Sequence, residues 1–213
     1  MYRRYSYPNE LYHHGVKGQK WGVRRYQNPD GTLTQEGKRR YQRELVKTAN
    51  KSSYAAYTQR HVESAYDKKA AKKYERVLGL SEKKKLTQRA ANQYNKSQAK
   101  YRDARARTEF WDKKAEEDLK KAKEYTDQLL KENKTMRVKS VPKDAIQAAK
   151  IFVSENTRTY YDARTGTART YRPSQPKHWM RKVEKEAGFD SKAYRKKYKE
   201  ALANLPHNSL YYV

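Results

Sequence analysis

Residues 81–133, SEKKKLTQRAANQYNKSQAKYRDARARTEFWDKKAEEDLKKAKEYTDQLLKEN, contain neither glycine nor proline. Ala, Lys, Glu, Gln and Arg dominate the stretch, and all of them enter a helix at little cost. A continuous helix here would span roughly 80 Å at ~1.5 Å per residue. An approximate heptad threads through it. Tyr94, Tyr101, Thr108, Ala115, Ala122 and Leu129 form one column, and Ser97, Ala104, Trp111, Asp118 and Tyr125 the other. Asp118 and the small residues make a poor seam for a parallel dimer. The expectation is an antiparallel helical hairpin with residues 53–78, ended at Asn133.

Upstream, residues 34–78 read as helix. Thr34 is a good N-cap and Glu36 lies in the positive first turn, while Gly37 weakens that turn. Asn50-Lys51-Ser52-Ser53 predicts a break, with Ser52 or Ser53 recapping a second segment. Tyr54, Tyr57, His61, Val62 and Ala65 recur at helical spacing and predict one face. Leu78-Gly79-Leu80-Ser81 is punctuation: Gly79 can end a helix in the left-handed conformation, and Ser81 can cap the next with Glu82 just inside.

Downstream the pattern changes. Met136-Arg-Val-Lys-Ser-Val141 alternates and stops at Pro142, as an edge strand does. Asp144 to Val153 reads as a short helix. Residues 157–162 and 167–172, rich in Thr and Tyr, flank Ala163-Arg-Thr-Gly166 and predict a β-hairpin. Residues 173–176 link to two short helices, about 177–187 and 190–204, split at Gly188-Phe189-Asp190. The fold class is therefore mainly α: an elongated, coiled-coil-like helical hairpin, with a small non-helical N-terminal module and a C-terminal α+β part that contains a β-hairpin. The regions are 1–33, a flexible arm and Gly/Trp/Arg-rich module; 34–133, the long helical region with a break near 79–81; and 134–213.

Only 35% of the 213 residues are hydrophobic, and 20 of those are Tyr. A large aliphatic core is excluded. The net charge of +27 comes from 51 basic and 24 acidic residues, spread over all three regions. Such an excess repels itself and favours a polyanionic partner, nucleic acid first, with an acidic protein surface or anionic membrane as the other polyanions. The chain has no cysteine, hence no disulfide or thiolate site. No apolar run approaches the ~20 residues of a membrane span. MYRRYSYPNELYHHG, residues 1–15, lacks the apolar region of a secretory signal. The uncharged end, with Leu210-Tyr-Tyr-Val213, is a candidate docking peptide.

Residues 12–41, YHHGVKGQKWGVRRYQNPDGTLTQEGKRRY, differ in character from the helical text. Gly15, Gly18 and Gly22 permit tight turns around Trp21, and Asn28-Pro-Asp-Gly31 is a strong turn signal. The block resembles one found at an end of virion-associated, often head-region, proteins of tailed phages and prophages of Gram-positive gut bacteria, written HHG-x-x-G-x-K-W-G-V-R-R-Y-Q-N-x-D-G-x-L-T. The resemblance covers about 30 of 213 residues. It implies a phage lineage, other virion proteins as partners, and a place in a virion or the bacterial host cytoplasm. It implies no chemistry.

The residues carry no catalytic constellation, and neither a metal site nor a cofactor is expected. His13 and His14 are adjacent and share no helix face, and no cysteine or suitably spaced carboxylate joins them. Gly15-Val-Lys-Gly18 has neither the spacing nor the hydroxyl of a Walker loop. Its spacing suits a KH-type clamp, but that needs helical flanks. The acidic group Glu116-Glu117-Asp118 reads as partners for Lys120 and Lys121 on one helix.

Interleaved rings and cations are the better signal, since they suit phosphate contact with base stacking. The candidate residues for nucleic acid or a protein partner are Lys17, Lys20, Trp21, Arg24, Arg25, Tyr26, Arg39 and Arg40, with Arg158, Arg169 and Tyr171-Arg172 a second such group. Trp21 is expected to anchor the module on another surface. The function expected is a non-enzymatic virion-associated structural protein, head-region, that contacts DNA non-specifically or an acidic partner, with no membrane partner. The alternative is a sequence-independent nucleic-acid-binding accessory protein of a phage or mobile element.

Overall fold

The computed structural model describes residues 26–28, 31–83 and 85–203. Two long helices dominate: α1, Gln35–Glu82, and α2, Gln88–Glu132. They run antiparallel. Lys38 pairs with Glu132, Gln42 with Thr126, Arg60 with Asp112 and Tyr74 with Tyr94, one number rising as the other falls. A short helix α3, Ala145–Asn156, packs on α1. Strands β1, Arg158–Asp162, and β2, Thr167–Tyr171, form an antiparallel hairpin. Helices α4, Lys177–Glu186, and α5, Ser191–Ala203, complete the fold.

The seam of α2 follows the heptad columns. Tyr94, Ser97, Ala104, Thr108, Trp111, Ala115, Asp118, Ala122 and Leu129 are all buried. On α1 the facing seam runs Gln42, Val46, Ala49, Ser53, Ala56 and, further along, Ala70 and Val77. Those steps of three and four make a heptad hidden by its polar members. Small side chains let the two backbones approach, so few aliphatics suffice. The larger apolar groups collect where α4 docks: Ala55, Ala56, Trp111, Ala115 and Met180 are buried together, with Phe110, Trp179 and Val183 packed against them.

Several local expectations fail for identifiable reasons. The break at Asn50–Ser53 does not occur. Ser52 donates its hydroxyl back to the Thr48 and Ala49 carbonyls at 3.0 and 3.2 Å, so its polar group is satisfied within the helix. Asn50, Ser52 and Ser53 are buried as small members of the packed surface. Gly79 stays helical; the turn falls later, with Lys83 as C-cap of α1 and Thr87, not Ser81, as N-cap of α2. The face expected from Tyr54 to Ala65 is mostly outside. Tyr54 is buried, but Tyr57, His61 and Ala65 are exposed. Tyr57 and His61 stack edge-on at 4.5 Å.

Residues 136–141 form no strand. Their partner is a side chain. Gln42 on α1 accepts from the Lys139 N–H through Oε1 at 3.0 Å and donates through Nε2 to the Lys139 carbonyl at 2.7 Å. One amide thus supplies both bonds of a missing strand. Elsewhere the expectations stand: Thr34 caps α1, Asn133 ends α2, and the short helix after Asp144 and the β-hairpin form. Asp144 caps α3, and Gly166 and Gly188 take positive φ at the two turns.

Candidate nucleic-acid interface

Lys17, Lys20, Trp21, Arg24 and Arg25 lie outside the described residues, as do the N-terminal arm and the uncharged C-terminal peptide. The end of the glycine-rich block is visible. The turn closes with the Gly31 N–H donating to the Asn28 carbonyl at 2.9 Å, Gly31 having φ of 84°. Gln27 and Leu33 bridge, and the Tyr26 carbonyl accepts from the Thr34 N–H at 2.9 Å and its hydroxyl at 3.2 Å. Arg40 lies over the Tyr26 ring at 4.9 Å. Arg39 donates to the Arg137 carbonyl and pairs with Glu36, both at 3.3 Å. Tyr26 and Arg40 therefore seat the incoming chain on the start of α1, and Arg39 ties that start to the segment after α2.

Gly37 makes that seat possible. A Cβ there would stand 2.3 Å from the Tyr26 carbonyl oxygen, far inside contact distance. Gly37→Ala would gain ~1 kcal/mol of helix propensity in an isolated helix. In this protein the clash reverses the sign, and a net loss of about 1–3 kcal/mol is expected. Hydrogen exchange of the Thr34 amide reads it directly. That amide should lose protection, whereas retained protection in a more stable protein would show that the seat is not tight.

A dense run of exposed positive charge lies at the far end of the rod. Residues 66–100 carry eleven basic residues against Asp67, Glu75 and Glu82. Lys68, Lys69, Lys72 and Arg76 on α1 and Arg89, Lys96 and Lys100 on α2 are exposed. At helical spacing Arg89, Lys96 and Lys100 fall in one stripe, and Lys68, Lys72 and Arg76 in another. Among the described residues no ion pair involves positions 66–100. Lys73 donates to the Gln93 carbonyl at 3.4 Å, and Lys69 lies 5.8 Å from the Tyr66 ring centre. The opposite half of the molecule is different. There Arg60 holds Asp112, Arg107 holds Glu184, Lys114 holds Asp118 and Arg195 holds Asp103. Within the hairpin the ion pairs gather where the other helices dock, and the net positive charge gathers where the rod stands alone.

This segregation was missed in the sequence because charge was totalled over long regions. Counting in windows the length of half a helix would have found it. The second ring–cation group is the β-hairpin, whose Arg158, Arg169 and Tyr171 are exposed. Between α2, α4 and α5 lies a cleft of about 690 Å³ lined by Arg107, Arg181, Lys185, Lys192, Arg195 and Phe189. Two of its cations are already engaged by Glu184 and Asp103. Among the described residues no three His, Asp or Glu side chains could together hold a metal ion, and no helix is long and apolar enough to cross a membrane.

A model of a family of unknown function (DUF7211) matches residues 5–28. It overlaps the glycine-rich block, and of the matched stretch only Tyr26, Gln27 and Asn28 are described. No curated protein matches the chain, and no solved structure does.

Proposed function

We propose that this chain is a non-enzymatic component of a tailed-phage or prophage virion, in its head region, that binds DNA without sequence preference through the distal half of the α1–α2 hairpin. The observation that carries the DNA contact is the open charge between residues 66 and 100. Unpaired lysines at i and i+4 repel one another and cost stability, which a polyanion recovers. The α1 part of this region, from Tyr66 to Glu82, is about 24 Å long at ~1.5 Å per residue. A duplex strand presents roughly seven phosphates over that distance, at 3.4 Å each. The lineage rests on the resemblance of the block at residues 12–41.

Binding of this kind releases counterions. Affinity for a short duplex should fall between ~50 and ~200 mM salt with a log–log slope of about −0.9 for each phosphate contacted, whatever the base sequence. Fluorescence anisotropy measures it. Absence of binding at ~50 mM, or affinity that ignores salt, would remove the DNA reading. Mass spectrometry of purified particles tests the placement. A protein found only in the lysate is an accessory factor, not a virion part.

A further inference from the structure

The β1–β2 hairpin belongs to no core. Nine of its ten strand residues are exposed, and Asp162 alone is half-buried. Its root is nonetheless fixed. Phe152 at the end of α3 stacks on Tyr54 at 4.8 Å, and the Tyr54 hydroxyl donates to the Pro173 carbonyl at 2.8 Å. Entry and exit are thus clamped to one buried tyrosine of α1, and the ribbon projects beyond it. A two-stranded hairpin is marginal in water by itself. This one is held by its own pairs: the Thr159 and Thr170 hydroxyls at 3.2 Å, the Tyr160 and Tyr171 hydroxyls at 2.6 Å, and Arg169 with Asp162 at 3.4 Å.

Its cations are all arginine. Residues 157–172 contain Arg158, Arg164, Arg169 and Arg172 against the single acid Asp162. The register puts Arg158 opposite Tyr171 and Tyr160 opposite Arg169, so both guanidinium groups flank the tyrosine pair on one face. Arg164 sits in the turn and Arg172 just beyond β2. Positive charge therefore runs the length of the ribbon, ~17 Å at ~3.4 Å per residue. The arginine fork fits phosphate and guanine edges better than a lysine does.

We infer that this ribbon enters the major groove of double-helical DNA, a second contact beside the basic end of the rod. The inference rests on the DNA reading above. The groove, about 12 Å wide, admits a two-stranded ribbon, and only one uncovered on both faces can enter. A single-strand stacking platform fits less well. Such a platform needs open ring faces, whereas Tyr160 and Tyr171 cover each other at 5.1 Å and 9°. Tyr161, on the opposite face among Thr159, Ala168 and Thr170, is one isolated ring.

The test uses the full chain and a short duplex containing guanines, with dimethyl sulfate reading guanine N7 in the major groove. The parent should protect N7. Changing Arg158, Arg164, Arg169 and Arg172 to Gln should abolish protection and lower duplex affinity at least tenfold at ~0.1 M salt. Because Arg169 also pairs with Asp162, a second variant with only Arg164→Gln and Arg172→Gln keeps the strands intact and should lose part of both. Tyr161→Ala should change neither. If N7 stays open in a parent that binds duplex, or if the arginine variants bind like the parent, the ribbon has no groove role while the rod reading stands. If single-strand affinity falls more than duplex affinity and Tyr161→Ala reproduces the loss, the ribbon is a stacking surface and the inference is wrong. A parent that binds no duplex at ~50 mM salt overturns both readings together.

Discussion

Glu184→Ala should destabilise the protein by about 3–5 kcal/mol, the cost of breaking a buried ion pair by removing one partner. The Glu184 side chain is 6% exposed and accepts three bonds from Arg107, at 2.8 to 3.1 Å, and one from the Trp111 indole N–H at 2.8 Å. Arg107 is itself four-fifths covered. Alanine would strand a guanidinium and an indole donor together, beneath the helix that α4 lays across the hairpin. Glu184→Gln keeps an acceptor for the indole and should cost less, about 1–3 kcal/mol. Denaturant unfolding gives the magnitudes, and limited proteolysis between α4 and α5 shows whether the end of the chain lifts off first. A loss below ~1 kcal/mol for alanine would put the pair among surface pairs of little worth.

That network could not be read from the chain. Arg107 and Glu184 are 77 residues apart, and each looks like one more solvated charge in a charged text. The partner of Asp118 was equally hidden. Asp118 counted against a parallel dimer seam, and in the antiparallel seam it is buried with Lys114 one turn back at 2.7 Å, not with Lys121 ahead of it. The long helices, by contrast, were legible because composition and the absence of Gly and Pro act locally. So were the Thr34 cap and the β-hairpin, whose turn and strand residues sit within a few positions of one another. The α1 seam was hidden because Gln42 and Ser53 do packing work usually given to Leu. Sequence marks such residues as polar, and only the neighbouring backbone at Lys139 shows what Gln42 is for. Of the candidate interface residues, the chain showed the types but not what surrounds them. Arg40 lies on the Tyr26 ring and Arg39 holds the Arg137 carbonyl, while the unpaired lysines lay in helices whose charge had been read only in total.

Replacing Lys68, Lys69, Lys72 and Lys73 together by Gln should lower duplex affinity by about a thousandfold at ~0.1 M salt, if each lysine meets one phosphate, and reduce the salt slope by about 0.9 per lost contact. The fold should lose little, since only the 3.4 Å bond from Lys73 to the Gln93 carbonyl and the Lys69 contact with the Tyr66 ring go. Gln and Lys have nearly equal helix propensity, none of the four lysines has an ion-pair partner among the described residues, and two like-charge i,i+4 repulsions disappear. Thermal stability should therefore hold or rise slightly as binding collapses. Opposite signs of that kind identify charge kept for a partner, since charge kept for the fold would lose both. The control removes the same formal charge elsewhere. Lys47, Lys120, Lys182 and Lys196 each pair with a carboxylate on their own helix, and replacing them by Gln should leave duplex binding within a few fold. Equal losses from the two sets would mean that DNA responds to net charge spread over the whole rod. The distal half would then have no privileged role, and the ion pairs of the docking end would reflect only the needs of packing.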